Sequence, residues 1–160
     1  MRLPNATEWV LHCATTIAQL EPGETASAAQ LAAYYDLPAP YLAKQLQALV
    51  RAGVLTGTTG PHGGFRLARP AAEITLLEIV EAVRGAASPY VCREIRQQGV
   101  GALPPEDCRD TCILAAKMAE AYDAWRAALA AESLADVLAG IPDTAPERTR
   151  SRLRSIRTGP

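Results

Sequence analysis

The chain has 160 residues, of which 49% are hydrophobic and only 5% aromatic, and its formal net charge is −1. That length suits one domain plus an accessory element, and the abundance of alanine and leucine favours helices. The near-neutral balance excludes a generally basic nucleic-acid coat. No apolar run reaches bilayer-spanning length and the first residues form no signal-peptide core, so a cytoplasmic protein with no membrane association is expected.

A first helix is expected from about Ala6 to Leu20, with Ala6, Val10, Cys13 and Ile17 as its inner stripe. Glu8 and His12, four residues apart, share a different face, with Trp9 beside them. Glu21-Pro22-Gly23-Glu24 breaks this helix. Ser27 is a plausible N-cap for a short helix to Tyr35, and Asp36–Pro40 forms a turn. In the next helix Leu42, Leu46, Leu49 and Val50 fall on one stripe, and Tyr41, Lys44, Gln45 and Ala48 on another. Gly53 stands where a helix C-terminus wants a left-handed residue. Two β-type runs follow, Val54–Thr58 and Phe65–Leu67, joined by Gly60-Pro61-His62-Gly63-Gly64.

Helix, turn, helix and ribbon in that order make a winged helix-turn-helix, which puts a helix in a DNA major groove and a ribbon tip in the adjacent minor groove. The stretch Leu37–Ala72 has no acid and carries Lys44, Arg51, Arg66 and Arg69, a local charge of +4. On this reading Tyr41, Lys44 and Gln45 face the bases, Gln45 suiting an adenine edge and Lys44 a guanine or a phosphate. His62 and Arg66 serve the wing, and Ser27 and Gln30 serve phosphates. The partner is double-stranded DNA.

Thr75-Leu76-Leu77-Glu78 is a capping box for a helix to about Val83, which Gly85 stops. Ala86–Pro105 has no clear periodicity. A long helix is expected from about Thr111 to Glu132, with Leu114, Met118, Ala121, Tyr122, Trp125 and Leu129 close to a heptad seam, and this helix is expected to make a homodimer. Ser133 caps a further short helix to about Ala139. From Arg148 the tail holds five arginines and no acid, which reads as a flexible basic end. The fold class is therefore mainly α. A winged-helix domain (1–85) precedes a loop (86–110), a dimerisation helix with a short helix (111–140) and a tail (141–160).

Four cysteines in such a chain suit metal or redox roles better than structural disulfides. Cys13 lies on the apolar stripe. Cys108 and Cys112 form a C-x3-C opening of a helix, where free N–H groups favour thiolates, and Cys92 lies 16 residues upstream of them. No nucleotide loop or substrate-site constellation is visible, so no enzyme is expected.

The segments MRLPNATEWVLH, YLAKQLQALVRAGVL and GPHGGFRLARPAAEITLLEIVEAVRG, together with the three downstream cysteines, resemble the IscR/NsrR family of bacterial winged-helix regulators over about residues 1–130. The wide Cys92–Cys108 spacing is most similar to the redox-sensing RsrR branch. The resemblance implies a dimeric DNA-binding transcription regulator, with repression the expected mode, a near-palindromic operator and control by the redox state of a [2Fe–2S] cluster across the dimer interface. It implies Glu8 and His12 of one subunit with Cys108 and Cys112 of the other as metal ligands, and Trp9 as the switch residue. Cys92 stays open as a substitute ligand, a resolving thiol or a bystander. The alternatives are a [4Fe–4S] nitric-oxide or redox sensor, and a cluster-free regulator that senses thiol oxidation or a small molecule.

Overall fold

The computed structural model describes residues 3–60 and 63–157. The elements are α1 (Asn5–Ile17), α2 (Ala28–Tyr35), α3 (Ala39–Arg51), β1 (Leu55–Thr58), β2 (Gly64–Leu67), α4 (Leu76–Arg84), α5 (Ile113–Ala130), α6 (Leu134–Ala139) and α7 (Ala145–Arg157). They divide into two compact units. One holds the chain up to Gly85 together with Leu129 onward, and the other holds Ala86–Ala128.

In the first unit the helical stripes read from the sequence become the core. Val10, Cys13, Leu31, Leu42, Leu46, Leu49, Ile79 and Leu134 are all fully buried. Each large aliphatic side chain so buried contributes about 1.5–3 kcal/mol relative to exposure. Ser27, Thr75 and Ser133 each cap a helix in a reciprocal capping box, with Gln30, Glu78 and Asp136 as the returning side chains. Between α2 and α3 the turn is made by Asp36 in the left-handed region (φ 53°), a conformation that Asp tolerates better than most residues.

Gly53 follows α3 at φ +71°, as a left-handed C-terminal residue should. β1 and β2 pair antiparallel, with Leu55 opposite Leu67 and Thr58 opposite Gly64. The ribbon is anchored by Ala26, whose N–H donates to Phe65 O at 3.1 Å and whose carbonyl accepts from Phe65 N at 2.8 Å. That approach requires Gly64, because a Cβ there would stand 2.8 Å from Ala26 O.

Several expectations change. α1 ends at Ile17, and the chain tightens into single turns through Leu20 (Leu20 N to Ile17 O, 3.1 Å) instead of continuing the helix. Ala48 is buried instead of facing outward. The expected flexible tail is helical over Ala145–Arg157, because its arginines have acidic partners and a buried stripe beneath them. Ala145, Thr149 and Leu153 point inward at every fourth position, and Gln30 Nε2 donates to Leu153 O at 3.1 Å. Arg150 pairs with Glu21 at 3.2 Å and Arg154 with Glu24 at 2.5 Å. His62 falls outside the described residues.

The second unit is irregular from Ala86, with 3-10 turns at Ile95–Gln97 and Pro105–Cys108, before α5. Tyr122 ties its start to the helix by donating from its hydroxyl to Ala86 O at 3.1 Å. No α5 residue is buried, and Ile113 (67%), Leu114 (65%) and Met118 (43%) are largely exposed. No helix among the described residues is long and apolar enough to cross a membrane.

The docking of α7 predicts that Leu153→Ala lowers unfolding stability by about 2–5 kcal/mol, the usual cost of emptying a buried leucine site. Denaturant unfolding measures it, and an unchanged midpoint would mean that α7 does not pack.

Candidate functional site

The outward face of α3 begins with Pro40, because a proline at the first turn has no N–H to waste there. Tyr41 is 47% exposed, Lys44 is exposed and Gln45 is half-buried. The exposed row then continues through Gln47 and Arg51, not through Ala48. Gln47 and Arg51 are additions to the expected reading face, and their three- and four-residue offsets from Lys44 were the available signal. Arg66 is exposed on β2, opposite Thr56.

Ser27 and Gln30 are differently placed. Gln30 is buried, its Oε1 accepts from Ser27 N at 2.9 Å, and its Nε2 is taken by Leu153 O. Ser27 Oγ accepts from Gln30 N at 3.1 Å. Both polar ends of Gln30 are used inside the fold, so its expected phosphate contact is corrected to a structural role. The capping-box pattern overrides the exposed-amide reading.

On α1, Glu8 and His12 are both exposed and line one open cavity of about 330 Å³. Helical spacing alone produces this, since positions four apart stack on one face. His12 is steadied by α2. Its ring centroid lies 5.9 Å from that of Tyr35, and the Tyr35 hydroxyl donates to His12 O at 3.3 Å and bonds Thr16 Oγ1 at 2.6 Å. Burial pushes the Tyr35 phenol above its ordinary value. Tyr35 has no distinguishing mark in the sequence beyond the Tyr34-Tyr35 doublet. Trp9 is half-buried and meets Tyr41 edge to face, with centroids 5.5 Å apart and planes at 85°. Such pairs contribute about 0.5–1.5 kcal/mol beyond area burial. Cys13 is fully buried, and desolvation pushes its thiol up to about 12, which makes it an inert core residue.

In the second unit the sulfur chemistry centres on Cys112, which is buried just before α5. Its thiol is held below the ordinary value, first by the backbone N–H of Ala115, then by that of Leu114, with Arg96 and the side chain of Cys92 adding to the effect. Cys92 is exposed, hydrogen-bonds Cys112, and lines the same cavity of about 540 Å³. Cys108 is half-buried at the end of the Pro105–Cys108 turn and is not among that cavity's lining residues. The thiol that touches Cys112 is therefore that of Cys92, not the expected Cys108.

Arg96 organises this loop, and sequence reading missed it. It grips Glu94 with Nε at 2.5 Å and Nη2 at 2.8 Å, and Nη2 also donates to Asp110 O at 3.1 Å. Glu94 takes φ 51°, an uncommon conformation for a residue with a side chain, and its carboxyl is held below the ordinary range by Arg96. The Glu94-x-Arg96 pair between two cysteines was the signal. Two soft thiols beside a fixed cation suit an anionic sulfur-ligated centre. Among the described residues, no group of three or more His, Cys, Asp or Glu gathers to hold a metal. The cysteine pair thus fits a shared metal centre if the remaining donors come from another subunit.

Relatives of the chain agree with this arrangement. Protein aau3 of Rhizobium meliloti (strain 1021) is 31% identical over 115 residues, which is 71% of this chain and 70% of that protein. YwgB of Bacillus subtilis (strain 168) is 37% identical over 99 residues, 61% of this chain and 59% of its own length. The HTH-type transcriptional regulator IscR of Cereibacter sphaeroides is 42% identical over 67 residues, 42% of this chain and 43% of its own length. The chain thus spans only about half the length of the last two. Among solved structures, CymR (YrzC), the global cysteine regulator of B. subtilis, superposes with a TM-score of 0.66 at 20% identity, covering 89% of this chain and 99% of that one. T. potens IscR gives 0.65 at 18% identity, covering 89% and 93%. At those identities the likeness is one of fold, and it establishes the winged helix. The Rrf2 family model, described as an iron-dependent transcriptional regulator, matches residues 3–140, and the chain belongs to that family of transcriptional regulators.

Proposed function

We propose that the protein is a cytoplasmic, non-catalytic regulator that binds a near-palindromic DNA operator as a homodimer, its affinity set by the redox state of a [2Fe–2S] cluster shared between subunits. One observation carries the coupling. The Trp9 ring, on the helix that presents Glu8 and His12, rests against Tyr41 of the DNA-reading helix. A shift at the α1 face therefore reaches α3 through a single aromatic contact.

The parts have separate roles. α3 offers Tyr41, Lys44, Gln45, Gln47 and Arg51 to the major groove, and Arg66 stands on the wing. The apolar row on α5, with no buried position of its own, supports pairing with a second copy. Cys112 and Cys92 supply thiolates, and Glu8 and His12 of the other subunit supply harder donors. Cys108 is the alternative to Cys92. A bound cluster supplies a one-electron redox change, at a potential raised where imidazole replaces thiolate. The rest lies with the chain. Arg96 offsets sulfur charge, Tyr35 fixes the His12 ring, and Trp9 transmits displacement to Tyr41. A second reading, cluster-free thiol sensing, is favoured by the Cys92–Cys112 hydrogen bond. A colourless but redox-responsive protein would select it.

Anaerobic purification with iron, sulfide and absorbance analysis tests the assignment. Cys112→Ala and Cys92→Ala are expected to lose the cluster and Cys108→Ala to keep most of it. Retention in Cys92→Ala with loss in Cys108→Ala would restore Cys108 as the partner of Cys112. For the coupling, Trp9→Ala is expected to keep the iron content while the ratio of DNA affinities between redox states collapses towards one. Full redox control in that variant, measured by gel shift, would remove Trp9 from the mechanism.

A further inference from the structure

The family match ends at residue 140, so α7 lies beyond it. It is held firmly by its buried stripe and by Arg150 and Arg154, which are engaged by Glu21 and Glu24. Its outward side carries Arg148 and Arg152, one helical turn apart and both exposed. Neither side chain has an ion-pair or hydrogen-bond partner among the described residues. Two like charges at that spacing destabilise a helix unless an anion answers them.

Two features of position give that anion a class. α7 packs along α2, the first helix of the helix-turn-helix, as the buried Gln30–Leu153 hydrogen bond records. In that motif the first helix crosses the phosphate backbone. Glu21 and Glu24 line one cavity with Arg66 of the wing, so the α7 arginines also cancel the two carboxylates nearest the wing cation. A helix that neutralises acids beside the wing and leaves two guanidinium forks facing outward is complementary to a row of phosphates.

We propose that α7 is a second DNA-contacting element, with Arg148 and Arg152 binding backbone phosphates that flank the bases read by α3. This rests on the DNA-binding reading above. It predicts a longer footprint than the winged helix alone would give, and no added sequence preference, since phosphates carry none.

The test starts from duplexes that the whole wild-type protein selects from a random pool, prepared with short and with lengthened flanks. Dissociation constants are measured across a salt series. On the long duplex, Arg148→Ala/Arg152→Ala is expected to bind on the order of tenfold more weakly. Its dependence of log affinity on log salt should be shallower by about two, the value for two lost phosphate contacts per bound protomer. Arg148→Lys/Arg152→Lys should recover most of the loss, and on the short duplex wild type and variant should bind alike. Unchanged affinity and salt slope on the long duplex would overturn the role of α7, as would equal losses on both duplexes. If wild type selects no duplex at all, the DNA-binding reading fails first, before any variant is compared. Both arginines are exposed, so matched thermal midpoints separate a lost contact from a lost fold.

Discussion

The molecule depends on α1 having three usable faces at helical spacing. Val10, Cys13, Ala14 and Ile17 go into the core and fix the helix rigidly. Glu8 and His12 are thereby held open to solvent on another side. Trp9, between them, reaches Tyr41. A helix of 3.6 residues per turn cannot present these groups independently, so a displacement felt by Glu8 or His12 is shared with Trp9. The buried stripe lets α1 act as a lever and not as a flexible tether.

Much of this was legible in the sequence because it rests on local rules. The stripes of α1 and α3, the three capping boxes, Gly53 and the paired runs of the wing each follow from side-chain spacing or from one residue's backbone preference. Gln30 shows where that reasoning stops. A polar residue in a short helix reads as a surface group, yet its amide is consumed by a cap and by Leu153, 123 residues away in the chain. The tail failed for the same reason. Five arginines look solvated until Glu21 and Glu24 are seen to face them, and no local pattern shows that pairing.

The sulfur site was half legible. The C-x3-C spacing located Cys112 at the opening of α5, and the helix N-terminus explains why its thiolate is favoured. The spacing also suggested Cys108 as its neighbour. The chain instead turns through Glu94 in a left-handed conformation, is clamped there by Arg96, and brings Cys92 to Cys112. A strained residue fixed by a bidentate ion pair beside two thiols is the kind of local cost that folds accept at functional positions. α5, with its apolar row exposed, adds that this unit is incomplete as a lone chain.

The central claim is that thiolates from one subunit and the Glu8–His12 pair from the other hold one cluster, and complementation between subunits tests it most directly. Glu8→Ala/His12→Ala and Cys112→Ser chains, each differently tagged, are co-expressed and the mixed dimer isolated without oxygen. Shared ligation predicts that both parent homodimers are colourless while the mixed dimer regains one cluster, assembled from the intact halves of its two chains. A mixed dimer as iron-free as its parents would contradict the account.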